Sequence, residues 1–479
     1  MNHPHNLIFL RFSKRAEASL HRLLRGVERS EDTGDSPSLQ TISPDDLYRS
    51  LTALLLRILF LLYAEERALL PTDNPYYQNN HSLIGSVREE EPYAVYQRLR
   101  TLFHILYCGI EHPKLSIKPK GSPLFDPNTH PVLERNIDND TIRDVLSILK
   151  NHDDVPIDFK TLPIECIGSV YEHLLSFTLI RENSHFEIIS KGERKKFGTH
   201  YTPPSLCNFI VEQTLGAAVR DLRTPSELLS LRVCDPAMGS GAFLLSACRF
   251  LYQFAQTQFP SVNTSSLRFR LAEQCLYGVD LNPTATYLAQ LSLWLECAEP
   301  SQPFSFLSHN LRAGNSLIGA RRHHLSSFSF TSETEHAPRS SPERLSVLAD
   351  WLVSLRYAIY FGGKNGKKRG KVDARNLVAR ETKAAKRYLY QQADVPPASQ
   401  RLMEQLPLAP FHWELAFPEV FCAPRKGFDA VIGNPPFVNC IRGNISDEVK
   451  TLLKERYPDI RGSADLSYYF LYLASELTH

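Results

Sequence analysis

The chain has 479 residues, of which 43% are hydrophobic, and its 54 basic residues nearly balance 52 acidic residues, for a formal net charge of +2. This length is sufficient for two or three domains with a sizeable core. The small net charge excludes a histone-like protein that binds polyanions through its overall charge, so any such affinity has to come from local basic patches.

The nine cysteines are scattered along the chain without a CxxC pair or the His/Cys spacing of a zinc site. This pattern predicts buried thiols in a reducing cytosol, and it argues against disulfides and a structural metal. The most apolar run, residues 51–64, contains Arg57 and is followed by charged residues, so it is too short for a membrane span. With no signal peptide in the sequence, we expect a cytoplasmic protein.

The first part of the chain is dominated by helical patterns. Residues 1–43 are polar and predict a flexible leader with little function. From residue 44 the sequence is apolar on nearly all sides until Pro71, with Ser43 as an N-cap, which predicts a buried helix. Further helical patterns lie at residues 92–107, 141–150 and 164–175. We therefore expect an all-helical domain over residues 44–190.

A strand, a glycine-rich loop and a helix follow one another in LRVCDPAMGSGAFLLSACRFL, residues 231–251. Gly239 and Gly241 permit a tight turn, and such a loop at the carboxyl edge of a parallel sheet binds cofactors in doubly wound folds. Asp235 and Pro236 precede the loop. A carboxylate at this point suits a ligand ammonium better than the pyrophosphate of a dinucleotide, which it would repel.

Two further strand-like segments end in polar residues that suit a nucleoside. The segment 276–279 leads to Asp280, which can accept from both hydroxyls of a ribose, with a helix cap as the alternative role. The segment 311–313 leads to Asn315, which suits an adenine edge or, alternatively, an ordinary turn. Residues 191–320 are therefore expected to form the cofactor-binding half of an α/β domain.

The sequence YTPP precedes a predicted helix, so Tyr201 and Thr202 lie at a helix N-terminus, where the polar end of a ligand can bind. Two basic runs are either solvated surface or contacts to phosphate groups. They are KGERKK at residues 191–196 and FGGKNGKKRGK at residues 361–371, the second within a helical and basic insertion over residues 321–410.

The stretch FDAVIGNPPF, residues 428–437, predicts a buried strand that ends in a rigid loop, because a glycine and two prolines cannot extend a ladder. The side-chain oxygen of Asn434 and the carbonyl of Pro435 can accept from one amine, and Pro436 has no N–H to compete with them. Two acceptors favour the pyramidal, attacking geometry of a ring amino group, and Phe437 would stack on the ring. A proline-rich turn is the alternative interpretation.

Taken together, YTPP, DPAMGSGAF, VDLNP, GNSL and NPPF resemble the motif series of S-adenosylmethionine-dependent adenine-N6 DNA methyltransferases. YEHLL, LLYAEERALLP and FHWELAFPEVF make the likeness closer to the large methylases of type IIG restriction-modification and related phage-defence systems. The resemblance covers residues 51–479. It implies a Rossmann-like methyltransferase sheet, S-adenosyl-L-methionine as cofactor, and methylation of adenine N6 in double-stranded DNA.

The resemblance also implies roles for individual residues around a target base that is flipped out of the duplex. The implied cofactor-binding residues are Tyr201, Thr202, Asp235, Pro236, Gly239, Gly241, Phe243, Asp280 and Asn315. The implied catalytic residues are Asn434, Pro435, Pro436 and Phe437. Because the sulfonium methyl is already activated, the protein has to align the reacting atoms and requires no strong general base and no metal.

The sequence departs from the family pattern after the NPPF segment. Residues 438–479 contain a loop and two helical patterns where further strands should follow, and we find neither a target-recognition domain nor an ExK nuclease motif. We therefore expect residues 411–479 to be a truncated segment whose NPPF strand is an unpaired apolar edge, and we expect a downstream polypeptide to supply the remaining strands.

Two other functions remain open at this point. A protein-glutamine N-methyltransferase shares NPPF-like motifs and the same amide-nitrogen chemistry, although the large helical half and the basic runs favour DNA as the substrate. The other is a non-catalytic, truncated chain that binds DNA or a protein partner. Loss of cofactor binding would favour the second alternative.

Overall fold

The structure is a computed structural model that describes residues 4–29, 39, 41–83, 93–152, 155–182, 185–191, 202–264, 266–321, 324–325, 340–361, 371–406, 409–422, 424–438, 445–460 and 464–478. It is an α/β fold in which helices predominate around a small parallel sheet. Tyr201, the basic run at residues 192–196 and the basic loop at residues 362–370 lie outside the described residues.

The N-terminal half is mainly helical, and its first helix belongs to the core. The described helices are α1 (Pro4–Arg29), α2 (Pro44–Glu66), α3 (Pro75–Asn80), α4 (Ala94–Cys108), α5 (Asn139–Lys150) and α6 (Glu165–Leu174). Helix α1 packs on α5 and α6 and buries Phe9, Phe12, Leu20 and Leu23. Apolar residues recur every three or four positions along it, which is the pattern of an amphipathic helix. The prediction of a flexible leader is therefore wrong for these residues.

Helix α2 is buried on nearly all sides, as its apolar sequence predicts. At its N-terminus the Ser43 hydroxyl accepts from the Asp46 N–H (3.1 Å). Inside, the guanidinium of Arg57 donates to the carbonyl of Leu124 (2.6 Å). Of the described helices, α2 alone is long and apolar enough to cross a membrane, and 94% of its apolar stretch is buried within the protein.

The N-terminal half also contains short antiparallel strand pairs, so the prediction of an all-helical domain is wrong in this respect. The pairs are β1 (Ile110–His112) with β2 (Leu115–Ile117), β3 (Asn151–His152) with β4 (Val155–Pro156), and β5 (Phe177–Glu182) with β6 (His185–Ser190). Leu179 and Ile188 face each other across the last pair and are both buried. Phe177 and Leu179 on β5, and Phe186 and Ile188 on β6, are apolar residues two positions apart, which is a strand signal in the sequence.

The described residues form a four-stranded parallel sheet in the order β10, β7, β8, β9. These strands are β7 (Val233–Asp235), β8 (Leu276–Asp280), β9 (Leu311–Ala313) and β10 (Ala430–Val431). The helices before and between the first three are α7 (Pro204–Val219), α8 (Pro225–Leu229), α9 (Ala242–Gln258), α10 (Leu267–Cys275) and α11 (Pro283–Cys297). Parallel strands with helical crossovers are the arrangement that the strand, loop and helix patterns predict.

The remaining helices form two packed groups. They are α12 (Pro342–Phe361), α13 (Lys371–Gln391), α14 (Pro397–Glu404), α15 (Trp413–Ala416), α16 (Pro418–Phe421), α17 (Asp447–Arg456) and α18 (Leu466–Leu477). Helices α12 to α14 share a core that includes Trp351, Leu352 and Leu389. Helices α15 to α18 pack around Phe428, at the start of the NPPF segment. The second group therefore supports the loop that follows β10.

Strand β10 lies at the edge of the described sheet, as the sequence predicts, but this edge is not wholly unpaired. On its inner side, the N–H of Ile432 donates to the carbonyl of Cys234 (2.8 Å). On its outer side, the N–H of Phe428 donates to the carbonyl of Leu477 at the end of α18 (2.8 Å). The sequence patterns could not reveal this contact because the two residues are far apart along the chain.

A cluster of ion pairs joins the helical half to the sheet. Arg249 on α9 forms a salt bridge with Glu165 on α6 and another with Glu296 on α11, the latter at 2.7 Å. The two glutamate side chains are only 5% and 9% exposed. Burial lowers the pKa of Arg249, but the two carboxylates more than offset this and hold the pKa above its ordinary value. The guanidinium therefore remains charged and links the two halves.

Replacing Arg249 with glutamine is expected to lower the free energy of unfolding by about 3 kcal/mol, because Glu165 would lose its salt-bridge partner and Glu296 would keep only the longer ion pair with Arg268 (3.9 Å). Urea unfolding of the variant and the wild type at neutral pH measures the difference. Arg220→Gln removes an exposed arginine at the end of α7 and is the matched control. Equal losses in the two variants would contradict a linking role for Arg249.

Candidate functional site

A polar residue ends or follows each strand of the described parallel sheet. Asp235 ends β7, Asp280 ends β8, Asn315 lies two residues after β9, and Asn434 lies three residues after β10. Because the strands are parallel, their carboxyl ends meet at one edge of the sheet. The structure therefore places these four polar residues at the same edge of the sheet.

The loop between β7 and α9 is held by the end of β8. Gly239 (φ +53°) and Gly241 (φ +89°) have left-handed backbone conformations, which suit glycine. The N–H of Gly239 donates to Oδ2 of Asp280 (2.9 Å). A Cβ on Gly241 would lie 3.0 Å from the Cβ of Ala289 on α11. Glycine at these positions lets the loop turn tightly and lets α9 approach α11.

Asp280 organises the edge of the sheet through both of its carboxylate oxygens. Oδ1 accepts from the N–H of Asn282 (2.8 Å), while Oδ2 accepts from the glycine loop. Burial raises its pKa, and the two N–H bonds act against this shift. The helix-cap alternative is wrong, since the side chain of Asn282 caps α11 by accepting from the N–H of Thr284 (3.0 Å). Each carboxylate oxygen retains a lone pair for a ligand hydroxyl.

Asp235 is almost completely buried at the end of β7, with 1% of its surface exposed. Its Oδ1 accepts from the N–H of Ala237 (3.0 Å), whereas Oδ2 has no hydrogen-bond partner among the described residues. Burial raises the pKa of this carboxyl to about 8; the Ala237 N–H opposes the shift and the charge of Asp280 adds to it. A buried oxygen without a partner suits a donor group on a ligand.

The NPPF loop passes directly over Asp235. A Cβ on Gly433 would lie 2.5 Å from Oδ1 of Asp235, so only glycine permits this approach. In the next residue, Nδ2 of Asn434 donates to the hydroxyl of Thr202 (3.2 Å). This bond uses a donor of the amide and leaves its oxygen as an acceptor. Phe437, three residues further along the loop, is 59% exposed.

Asn315 forms a turn that is tied to the loop after β7. Its Oδ1 accepts from the N–H of Leu317 (3.0 Å), and its own backbone N–H donates to the carbonyl of Ala409 (2.6 Å). The hydroxyl of Ser316 donates to the carbonyl of Pro236 (2.6 Å). The turn that the sequence allows as an alternative is therefore present, and the side-chain nitrogen of Asn315 is not used by it.

The remaining predicted site residues do not all lie at the edge of the sheet. Pro435 and Pro436 are half-buried and continue the loop after Asn434. Phe243, predicted at the cofactor, is 3% exposed and packs in the main hydrophobic core, where it supports the start of α9. Tyr201 lies outside the described residues, so the structure gives no contact for it.

Sequence reasoning missed Glu172, which comes from α6 in the helical half. Helix α6 lies against the glycine loop so closely that a Cβ on Gly168 would be 2.1 Å from Oγ of Ser240. Oε1 of Glu172 lies 3.8 Å from the Cβ position of Gly239, and its Oε2 is buried without a hydrogen-bond partner among the described residues. Burial and then the charge of Asp280 raise the pKa of Glu172 to about 7. In the sequence, the segment YEHLL, which contains Glu172, indicated only a resemblance to a family.

Leu281 is the second residue that sequence reasoning missed. It follows Asp280 directly, and 64% of its surface is exposed. A large apolar side chain beside a polar crevice suits contact with a planar ring of a ligand. The signal was the apolar residue inside VDLNP, between the acidic residue and the helix cap.

Two family models match the chain. Residues 164–316 match the N-6 DNA Methylase family, and residues 274–479 match the Eco57I restriction-modification methylase family. The two matches overlap and together include the strand ends, the glycine loop, the NPPF loop and Glu172. They confirm the likeness to adenine-N6 DNA methylases that the motif series indicates.

Curated relatives and solved structures give a consistent result. A putative type II restriction enzyme and methyltransferase of Methanocaldococcus jannaschii is 23% identical over 84% of this chain and 41% of its own length. The type II restriction enzyme and methyltransferase RM.Eco57I of Escherichia coli is 26% identical over 33% of this chain and 18% of its own length. The chain therefore spans less than half the length of these relatives. The type IIL restriction-modification enzyme MmeI, solved in complex with DNA, has a similar fold, with a TM-score of 0.50 and 14% sequence identity. The match covers 98% of this chain and 48% of the MmeI chain.

Proposed function

We propose that this chain transfers a methyl group from S-adenosyl-L-methionine to N6 of adenine in DNA, because its residues match the N-6 DNA Methylase and Eco57I restriction-modification methylase families. The observation that carries this proposal is the position of the Asn434 amide. It lies next to Gly433, which is in contact with the carboxylate of Asp235, and Asp235 precedes the glycine loop. This proximity supports the proposal that Asn434 and the glycine loop face the same ligand and target base.

The carboxylates and the apolar residue at the strand ends support S-adenosyl-L-methionine as the ligand. Its sulfonium group supplies an activated methyl. Asp280 would accept from ribose hydroxyls, the side-chain nitrogen of Asn315 would donate to the adenine edge, and Leu281 would contact the face of the ring. The unpartnered oxygens of Asp235 and Glu172 would accept from the ligand ammonium, because cationic and donor groups relieve the cost of burying carboxylates.

The NPPF loop would hold the target base in its attacking geometry. The oxygen of Asn434 and the carbonyl of Pro435 accept from the two hydrogens of the adenine N6 amine, and Phe437 stacks on the ring. Thr202 acts as a positioning residue, because its hydroxyl accepts a hydrogen bond from the side-chain nitrogen of Asn434. The protein contributes alignment of nucleophile and methyl group, which needs no strong base.

Each part of the chain would have its own task in this reaction. Residues 44–190 supply the helical wall with Glu172, residues 191–320 hold the cofactor, and residues 411–479 hold the target base. Residues 321–410 form an insertion between these two halves of the site. We propose that the chain serves as the modification part of a restriction-modification system, with double-stranded DNA as its substrate.

Transfer of a radiolabelled methyl group from S-adenosyl-L-methionine tests the proposal. The 479-residue chain is incubated with duplex DNA or with glutamine-containing peptides, and the product nucleosides are identified by mass spectrometry. We expect N6-methyladenine in the DNA and no label in the peptides. Label in the peptides alone would instead indicate a protein-glutamine methyltransferase. Cofactor binding without transfer to either acceptor would contradict the proposed activity.

Replacing Asp280 with alanine is expected to weaken S-adenosyl-L-methionine binding by about 10- to 100-fold, since hydrogen bonds to a charged group contribute about 1.5–3 kcal/mol. Isothermal titration calorimetry measures the change. Asp221→Ala, which removes an exposed carboxylate just after α7, is the control. An unchanged affinity in Asp280→Ala would remove the ribose assignment.

A further inference from the structure

The three helices α12, α13 and α14 form a unit in which the orientation of α13 is fixed. Glu381 on α13 is 1% exposed. Its Oε2 accepts from the indole N–H of Trp351 on α12 (2.8 Å) and from the hydroxyl of Ser399 just inside α14 (2.6 Å). A buried carboxylate with bonds to both neighbouring helices prevents α13 from rotating about its axis. The opposite face of α13 must therefore point away from the unit.

That outward face is basic along its length. Helix α13 contains six Lys and Arg residues and only two acidic residues, of which Glu381 is buried. Arg375, Lys383 and Lys386 are exposed and recur at helical spacing on the same side, and within the described part of the chain they form no ion pair. Among the described residues, therefore, no ion pair compensates their positive charges.

The basic face continues into a groove between α12 and α13. The groove has a volume of about 680 Å³, with an apolar floor that includes Ile359 and Val378, and Arg356, Lys383 and Lys386 contribute cations to its lining. Arg356 also forms an ion pair with Glu455 on α17 (3.0 Å). Because α17 follows the NPPF loop in the chain, this pair ties the basic unit to the segment that holds the proposed target base.

We propose that the outer face of α13 and this groove bind the sugar–phosphate backbone of double-stranded DNA. The inference rests on the proposed function and adds the surface through which the substrate is held. Arg375 and Lys386 are about 17 Å apart along the helix at about 1.5 Å per residue, which corresponds to about five base-pair steps of duplex at about 3.4 Å each. A row of cations of this length matches a phosphate backbone, and the small side chains between them, such as Ala379, allow close approach.

The contact is independent of DNA sequence, because flexible cations on an exposed helix pair with phosphates and do not read base edges. The test is a triple variant, Arg375→Gln, Lys383→Gln and Lys386→Gln, in the full chain. Its matched control is Lys114→Gln, Lys160→Gln and Arg220→Gln, which removes the same charge from exposed positions elsewhere. Dissociation constants for a duplex are measured over a range of salt concentrations, together with S-adenosyl-L-methionine affinity as a check on folding.

The α13 variant is expected to bind the duplex about tenfold or more weakly at low salt, and the slope of log K against log salt should become shallower by about 2 to 3, at about 0.9 per lost phosphate contact. Cofactor affinity should not change. An unaltered slope in the α13 variant, or equal losses in both triple variants, would overturn the surface assignment. If the wild type methylates DNA in that case, the proposed function stands without this surface. If the wild type binds no duplex at any salt concentration, both proposals fail.

Discussion

Replacing Asn434 with alanine is expected to reduce methyl transfer to DNA by about 100-fold or more, the cost typical of removing one preorganised polar group from an active site. The variant loses the oxygen that accepts from the adenine amine. It retains Asp235, Asp280 and the glycine loop, so its affinity for S-adenosyl-L-methionine should stay within about twofold of the wild type. Single-turnover transfer and calorimetry measure the two quantities separately.

Substitutions of Thr202 test the hydrogen bond that orients the Asn434 amide, and their expected effect is smaller. Thr202→Val keeps the shape of the side chain but removes the acceptor for Nδ2 of Asn434. We expect a fall in kcat of about tenfold, the equivalent of one hydrogen bond, with KM for DNA nearly unchanged and recovery in Thr202→Ser. A wild-type rate in Asn434→Ala would contradict the acceptor role. A loss in Thr202→Ser equal to that in Thr202→Val would contradict the positioning role.

Residues that follow parallel strands were predictable because their placement depends on local rules. Asp235, Asp280 and Asn434 each lie after a short apolar run, and parallel strands carry such residues to the same edge. The glycine loop was predictable for the same reason, since Gly239 and Gly241 are adjacent to the strand that positions them. The sequence thus predicted where these residues lie relative to the strands, whereas their roles in a site stay predictions.

Residues that reach the site from another part of the fold were not predictable in this way. Glu172 precedes β7 by about sixty residues, and nothing in its local sequence shows that α6 packs on the glycine loop. This packing is shown by the close approach of Gly168 to Ser240, two residues that are far apart in the sequence. In the same way, the amphipathic pattern of α1 was outweighed by the polar composition of residues 1–43, although its buried face packs on α5 and α6.

The pairing of Phe428 with the end of α18 has the same origin. Its N–H donates to the carbonyl of Leu477, a bond between segments that the sequence patterns describe separately. The local prediction of a strand was correct, but the prediction of an unpaired edge assumed that only further strands can pair with β10. A helix end can satisfy one of the edge groups as well.

Glu172 leads to a prediction about pH. Its ordinary pKa of 4.5 is raised to about 7 by burial and by the charge of Asp280. Between these two values the folded chain keeps a proton that the unfolded chain has lost, so the free energy of unfolding falls as pH rises through this window. The full loss is at most about 3.5 kcal/mol, from about 1.4 kcal/mol per pKa unit. Asp235, whose pKa is also raised, contributes in the same direction towards pH 8.

The variant Glu172→Gln is expected to show a weaker pH dependence of the free energy of unfolding. At pH 8 its melting temperature should exceed that of the wild type by several degrees, because about 1 kcal/mol shifts Tm by about 2 °C or less in a chain of this size. The exposed Glu212→Gln on α7 is the matched control. Cofactor affinity should rise with pH, whereas stability falls, because a cationic ligand favours the ionised carboxyl of Glu172. We expect the wild-type affinity to rise several-fold from pH 6 to pH 8 and the affinity of Glu172→Gln to rise less. Identical pH profiles for the wild type and Glu172→Gln, in stability and in cofactor affinity alike, would show that the carboxyl of Glu172 neither titrates in this range nor faces the ligand.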